Sequence, residues 1–419
     1  MEEFQYRQNE LWCESTNLRE VARSVGTPAY VYSRQSILDH CRWIEGALHG
    51  IDHLSCYAVK ANANVTILKL LASEGIGADV GSIGEMKFAL QAGFSPEKIT
   101  YSGVGKRDDE IEFALRQNIM SLNVESESEL EVVQKIASAV GCTANVLLRV
   151  NFDIASETHP YITTGRKHNK FGLDPKKAKE LIRGMKRFPA IKFLGIHSHI
   201  GSQIIRSETF IAAAKAMVTL ITELRSEGIE TRDLNFGGGF GVQYRGFVSH
   251  PSLPPEPEGG ELHLSTAKLL EAILPELRKS RCRILIQPGR SLIAHAGILL
   301  TKILYRKVSD ARTFVIVDAG MNDLIRPSLY QSYHQIVPLS LREAKHEVVD
   351  VVGPLCESGD FFAQDRPMPV CDRNEILALL CTGAYGYVLA SNYNGRPRPV
   401  EVLVDRDQFE IIREREGIA

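Results

Sequence analysis

Tyr57-Ala58-Val59-Lys60-Ala61-Asn62 closes a short apolar run, Leu54–Lys60, that reads as a β-strand finishing on a lysine. On its own such a lysine is a solvated loop charge. Seven further runs of the same kind give it context: Ile76–Val80, Ile99–Ser102, Met120–Val124, Val146–Asn151, Phe193–His199, Leu234–Phe236 and Arg283–Gln287. Each is short, rich in branched or aromatic side chains, and separated from the next by an amphipathic stretch. Ser126-Glu127-Ser128-Glu129 has the pattern of a helix capping box, and Leu130, Val133, Ala137 and Val140 follow at helical spacing up to Gly141. Phe210, Ala213, Met217, Leu220 and Leu224 form a second such face, ending at Gly228. Eight strand–helix alternations over roughly 240 residues match a (β/α)8 TIM-type barrel, an α/β fold. A doubly wound open sheet fits less well, since its ligand glycines usually follow the first strand rather than the seventh.

After Arg290 the texture changes. Ile298–Arg306, Thr313–Asp318, His346–Val352, Ile376–Cys381, Val400–Val404 and Phe409–Arg413 read as strands with little helix between them. The expectation is a barrel over 35–285 and a β domain, sandwich-like or Greek-key-like, built from 286–419 together with an N-terminal segment 1–34 that carries Ala29-Tyr30-Val31-Tyr32. The Pro/Gly-rich stretch Ser249–Gly260 reads as a mobile surface insertion in the barrel region rather than a linker.

At 419 residues the chain is long enough for two cores. A net charge of -2, with no long basic run, gives no general attraction to nucleic acid or anionic lipid. The densest basic group, Arg166-Lys167-His168-Asn169-Lys170, is short and reads as a loop. Eight scattered cysteines without a C-x-x-C pair argue against a zinc ribbon or redox dithiol. The acidic start Met1-Glu2-Glu3-Phe4-Gln5 lacks the apolar core of a signal peptide, and no apolar run reaches the roughly 18 residues of a membrane span. The expected setting is a reducing cytoplasm.

In a barrel of this type the reactive face lies where the strands finish. The first strand gives Lys60 and the second Asp79; the fifth gives Arg149 and Asn151; the sixth gives His197, His199 and then Ser202. The seventh runs into Gly237-Gly238-Gly239, and the eighth into Gln287-Pro288-Gly289-Arg290. Glycines after strands seven and eight let backbone N–H groups approach an anion with no Cβ in the way, and these loops commonly hold phosphate. Partial burial of Lys60 would favour its neutral, nucleophilic amine. A lysine, a phosphate cup with Ser202 as hydroxyl donor and a flat imidazole at His199 together suggest pyridoxal 5′-phosphate. Metal binding by His197-Ser198-His199 is the competing reading, because positions i and i+2 of a strand share a face. A zinc site would need a third ligand; His295 and His334 carry no spacing signal for one, and no metal is expected.

Seven motifs carry a resemblance to a known family. They are Tyr57-Ala58-Val59-Lys60-Ala61-Asn62; His159-Pro160-Tyr161-Ile162-Thr163-Thr164-Gly165 with Asn169-Lys170-Phe171-Gly172; and Gly195-Ile196-His197-Ser198-His199-Ile200-Gly201-Ser202-Gln203. Asn235-Phe236-Gly237-Gly238-Gly239-Phe240-Gly241, Asp318-Ala319-Gly320-Met321-Asn322-Asp323-Leu324-Ile325-Arg326-Pro327, Cys356-Glu357-Ser358-Gly359-Asp360 and Gly383-Ala384-Tyr385-Gly386 complete the set. With these the chain resembles, over nearly its whole length, the fold-type III pyridoxal-phosphate decarboxylases of the ornithine/diaminopimelate decarboxylase family. The resemblance implies that Lys60 bonds the cofactor aldehyde and His199 stacks on its ring, while Ser202, Gly239 and the backbone of Gly289 and Arg290 hold the phosphate and Tyr385 adds a contact. Asp79, Arg149 and Gln287 are counted with the cofactor set. It further implies that Arg290, Arg326 and Tyr330, with Tyr385, meet substrate carboxylate, that Glu357 meets a distal ammonium, and that Cys356 donates a proton. Cys356 and Glu357 are expected to reach the site of a second subunit in a homodimer. Glu rather than Asp after Cys356 favours diaminopimelate as substrate, converted to L-lysine and CO2 in the last step of lysine biosynthesis. Another basic or carrier-bound amino acid, or a cofactor-binding relative without catalysis, are the alternatives.

Two positions depart from the family pattern. Gln287 stands where a glutamate usually precedes Pro-Gly-Arg, and Ile83 where glycine is commoner. A neutral amide can donate to an unprotonated ring nitrogen but cannot stabilise a positive one by charge, so a weaker electron sink and slower turnover are expected, with a glutamate at 287 faster.

Overall fold

The computed structural model describes residues 3–154, 169–255, 264–310, 312–342 and 345–417. The chain divides into two compact units. One comprises Cys41–Gly241 and His263–Ser291, the other Met1–His40, Val242–Leu262 and Leu292–Ala419.

The first unit is a closed barrel of eight parallel strands. They are β1 (His53–Ala58), β2 (Gly77–Val80), β3 (Ile99–Tyr101), β4 (Ser121–Val124), β5 (Ala144–Arg149), β6 (Ile191–His197), β7 (Asp233–Asn235) and β8 (Arg283–Ile286). Each pairs with its sequence neighbour, and Ile284 opposite His53 closes the ring between β8 and β1. The strands read from sequence are all present, several ending two residues earlier than expected. Cys56, Met120, Leu147, Leu194 and Leu285 fill part of the interior. The helix after β4, Glu127–Val140, starts where Ser126 Oγ accepts from Glu129 N–H and stops at Gly141, whose φ of 70° is left-handed. Leu130, Val133 and Ala137 form its buried face.

In the second unit, Ala29–Ser33 is a fully buried strand. It runs antiparallel to the start of Gly297–Val308 and parallel to Val400–Asp405. The N-terminal segment therefore belongs to the β domain, as the sequence suggested. Gly297–Val308 pairs along its first half with Ile376–Leu379 and along its second with Thr313–Val317, so one long strand serves two neighbourhoods of a nine-stranded sheet. Five strands of this unit were not read from sequence: Ile336–Pro338 and Phe361–Pro369 in this sheet, and Phe4–Arg7, Glu10–Cys13 and Thr16–Asn17, which form a small antiparallel sheet of their own. Phe361–Pro369 contains two prolines, which disqualify a central strand; it lies at the edge of the sheet, where a missing N–H costs no ladder bond. Of the loop Ser249–Gly260, residues 256–260 lie outside the described residues.

One buried acid in this unit should set part of its pH response. Asp323 accepts from Gly320 N–H at 2.8 Å and from Asn322 Nδ2 at 2.9 Å, yet burial raises its pKa to about 7. The folded state then holds a proton that the unfolded chain releases near pH 4. Stability consequently falls as pH rises between about 4 and 7, by at most roughly 1.4 kcal/mol per pH unit. Asp323→Asn should remove this slope, because Asn322 Oδ1, buried without a partner, can turn to accept from the new amide. The variant should melt above the parent at pH 8 and close to it at pH 5; an identical slope in both proteins would exclude Asp323 as its source.

Candidate active site

Lys60 does not sit on β1 itself. The strand ends at Ala58, and Val59–Ala61 forms one 3-10 turn held by Tyr57 Oη donating to Asn62 O at 3.0 Å. Ala58 N–H donates to Pro288 O at 2.9 Å, fastening this turn to the loop after β8. Val59 and Ala61 are buried while the Lys60 side chain is exposed. The protein by itself therefore does not desolvate this amine, contrary to the argument from its strand-end position. The turn pushes the lysine out over the rim while its neighbours pack inward.

The loops after β6, β7 and β8 are stitched by backbone bonds. Ile204 N–H donates to Gly239 O at 2.9 Å and Gln287 N–H to Gly237 O at 2.8 Å. Glycine is required here by space. A Cβ on Gly238 would lie 2.1 Å from Gln287 O, and one on Gly239, at φ 99°, would lie 2.3 Å from Gly201 O. Gly289 lies tight against Ala58 and Ala61, whose Cβ atoms would stand 3.1 and 3.2 Å from a Cβ built on it. The next residue, Arg290, is buried and donates from a terminal guanidinium nitrogen to Ser202 Oγ at 2.9 Å. Ser202 thus has its oxygen turned to the cation and keeps its hydroxyl proton for another acceptor.

His197 ends β6 and His199 follows in the loop, so the strand rule that would put both imidazoles on one face does not apply. His199 Nδ1 accepts from Gly238 N–H at 3.1 Å, which fixes a neutral ring with its proton on Nε2. Burial, then the nearby Lys60 charge, push its pKa well down. His197 is buried, and desolvation ahead of the Arg149 charge likewise keeps it neutral. Its Nε2 meets Gln287 Oε1 at 3.1 Å. Among the described residues no cluster of three or more His, Cys, Asp or Glu has the arrangement of a metal site.

Asp79, at the end of β2, is buried and bonded to Ser102 Oγ at 2.5 Å and Gln287 Nε2 at 2.9 Å. Burial raises its pKa, and the Lys60 charge is the largest opposing influence. Arg149 is committed to Glu125 through a buried ion pair at 2.6 Å, with its guanidinium 4.5 Å from the Phe171 ring centroid. Gly172 N–H also donates to Glu125, at 2.8 Å, so the Asn169–Gly172 half of its motif adjoins Arg149. The other half, His159–Gly165, and most of Arg166–Lys170 lie outside the described residues. Ser102, Asn123 and Glu125 were missed from sequence. They stand where β3 and β4 finish, and the rule applied to the other strand ends would have found them.

Arg326, Tyr330, Cys356, Glu357 and Tyr385 belong to the β-rich unit. Arg326 opens the short helix Arg326–Tyr330, is buried, and donates to Tyr244 Oη at 2.8 Å and Ser332 Oγ at 3.3 Å. Tyr330 ends that helix half-buried, and Tyr385 is held at a left-handed φ of 57°. Cys356 and Glu357 are exposed on a loop organised by Asp360, whose carboxylate takes Leu355 N–H at 2.7 Å and Met321 N–H at 2.6 Å. Ser328 Oγ donates to Gly359 O at 2.5 Å, tying the Arg326 helix to the same loop. Tyr393 Oη donates to a Glu357 oxygen.

Residues 34–294 match the pyridoxal-dependent decarboxylase family through its pyridoxal binding domain, more than half of the chain. The chain belongs to the pyridoxal-dependent decarboxylases. Full-length relatives of this decarboxylase include the diaminopimelate decarboxylases of Aquifex aeolicus, 42% identical over 99% of this chain and 95% of that one, and of Vibrio cholerae, 41% identical over 100% and 97%. Its fold is similar to that of diaminopimelate decarboxylase from Helicobacter pylori complexed with L-lysine, with TM-score 0.89, 39% identity, and 96% and 97% of the chains covered. The M. jannaschii enzyme gives TM-score 0.92 at 35% identity, over 99% and 96%. As a member of this family the decarboxylase uses pyridoxal phosphate. Its rim fits that group: a primary amine, a neutral imidazole, a triple-glycine loop with no room for Cβ atoms, a second glycine packed close at 289, and a buried guanidinium beside a hydroxyl.

Proposed function

We propose that the chain removes CO2 from meso-2,6-diaminopimelate to give L-lysine, as a homodimer in the cytoplasm. The observation that carries this reading is the rim itself, where the Lys60 amine and the Gly237–Gly239, Gly289 and Arg290 loops meet in a chain alike over its full length to diaminopimelate decarboxylases. Pyridoxal phosphate, when bound, supplies the electron sink that accepts the electron pair left as CO2 departs.

The chain's own residues do the rest. Lys60 is the amine that holds the cofactor aldehyde, and His199, turned by Gly238, offers a neutral ring face. Ser202, the Gly239 and Gly289 backbone and Arg290 hold the phosphate; Asp79, Arg149 and Gln287 complete the polar floor, and Tyr385 adds a contact. A substrate with an amino acid centre at each end needs a second recognition point. Arg290, Arg326, Tyr330 and Tyr385 serve carboxylate, where arginine has the matching fork of donors. Glu357 serves the distal ammonium, and Cys356 Sγ–H delivers the proton to the carbon that lost CO2. Both lie exposed on the Asp360 loop, which suits groups that work in the neighbouring subunit's site. Eight free cysteines, and the lack among the described residues of any helix long and apolar enough to cross a membrane, accord with that setting.

The direct test is CO2 release with lysine formation from the meso isomer, alongside ornithine and arginine; release from ornithine alone would overturn the substrate assignment. Glu357→Gln should raise KM for diaminopimelate about tenfold or more, as expected for loss of a charged hydrogen bond, and leave the bound-cofactor absorbance in place. Unchanged KM would remove Glu357 from substrate binding.

A further inference from the structure

One buried polar chain crosses the barrel beneath the rim, from β6 to β4. His197 Nε2–H reaches Gln287 Oε1 at 3.1 Å, and Gln287 Nε2 reaches Asp79 Oδ1 at 2.9 Å and Ser102 Oγ at 3.3 Å. Ser102 Oγ–H closes on Asp79 Oδ1 at 2.5 Å, and Asn123 Nδ2 donates to Ser102 Oγ at 2.9 Å. Asp79, Gln287, His197 and Asn123 are all buried.

Asp79 fixes the sense of these bonds. Asp79 Oδ1 accepts from both Gln287 Nε2 and Ser102 Oγ, so Gln287 turns its NH2 to Asp79 and its carbonyl to His197. Turning the amide over would set its oxygen against the carboxylate. Both amide hydrogens are then engaged, one by Asp79 and one by Ser102, and the carbonyl keeps its second lone pair. Gln287 in this chain is thus an acceptor toward whatever lies beyond it, which reverses the donor role expected from its amide. Burial is the largest influence on Asp79 and raises its pKa; of the charges facing it, Lys60 on the β1 turn, Arg149 on β5 and Lys106 after β3 favour the ionised form, and Glu85 on the helix after β2 opposes it.

We propose that Asp79 is a positioning residue for the cofactor ring: it holds the Gln287 carbonyl outward and backs it with negative charge, so that the Asp79–Gln287 pair does what a glutamate at 287 would do alone. This rests on the reading above that residue 287 faces the ring. The acid of the pair is then set back from the ring by one hydrogen bond.

The test compares the parent, Asp79→Asn, Gln287→Glu and the double variant. Two quantities are read: the dissociation constant for pyridoxal phosphate, and the pH midpoint of the bound-cofactor absorbance. Asp79→Asn should weaken cofactor binding about tenfold or more and move the midpoint by about one pH unit. Gln287→Glu beside an intact Asp79 places two carboxylates in contact, which must share a proton, so it should bind the cofactor no better than the parent. The double variant swaps acid and amide while keeping each bond, and should return both readings to within about threefold and about half a unit of the parent. Parent-like behaviour of Asp79→Asn, or a double variant no better than the singles, would overturn the proposal. If Asp79→Asn cannot be purified folded, Gln287→Glu decides: tighter binding than the parent would show the two charges acting independently and sink the idea. Borohydride labelling separates this from the functional reading, which falls only if the cofactor tag in the parent lies elsewhere than residue 60.

Discussion

Lys60→Ala should lower decarboxylation on the order of a thousandfold or more, and borohydride should no longer fix the cofactor to the peptide spanning Tyr57–Asn62. The magnitude follows from what the residue offers. The Val59–Ala61 turn projects a single exposed amine over the rim, close enough for its charge to be the leading influence opposing burial at Asp79. Lys60→Arg separates charge from nucleophilicity, since a guanidinium keeps the first and lacks the second. It should be as inactive as the alanine variant. Both variants should still bind pyridoxal phosphate reversibly, because the Arg290–Ser202 pair and the glycine loops are untouched. Parent-level turnover in either variant would end the covalent reading.

The second large effect is a recovery rather than a loss. If Cys356 and Glu357 serve the neighbouring subunit, Lys60→Ala and Cys356→Ala proteins are each nearly inactive alone. Random re-pairing of equal amounts makes half of the dimers mixed, and each mixed dimer assembles one complete site from two. Activity should rise to about a quarter of the parent's, as the symmetry of a two-fold dimer dictates. Sites built within one chain would give no recovery. The exposure of Cys356 beside a well-anchored Asp360 is the structural reason to expect the rise.

The barrel was legible because its strands are apolar runs at nearly regular spacing, and that pattern survives errors of two residues at each end. Phe361–Pro369 was not, because Pro367 and Pro369 argue against a strand unless its edge position is known. The placing of Lys60, His199, Ser202 and the glycines at the rim was legible by asking what each strand finishes with; Ser102 and Asn123 escaped because β3 and β4 were not asked. Two matters lay beyond any reading of a linear chain. The exposure of Lys60 depends on a 3-10 turn fastened to Pro288, and the direction of the Gln287 amide depends on partners from β2, β3 and β6.

Ala29–Ser33, seated between Gly297–Leu300 and Val400–Val404, also bears on how the molecule is made. On the ribosome every barrel strand emerges before either partner of that early segment exists. The hydrophobic ribbon bearing Tyr30 and Tyr32 must therefore wait, with both backbone flanks open, until translation has nearly finished. A nascent polypeptide stalled short of Val400 would retain one such bare flank, making late-truncated products the natural clients of chaperones and the first to aggregate.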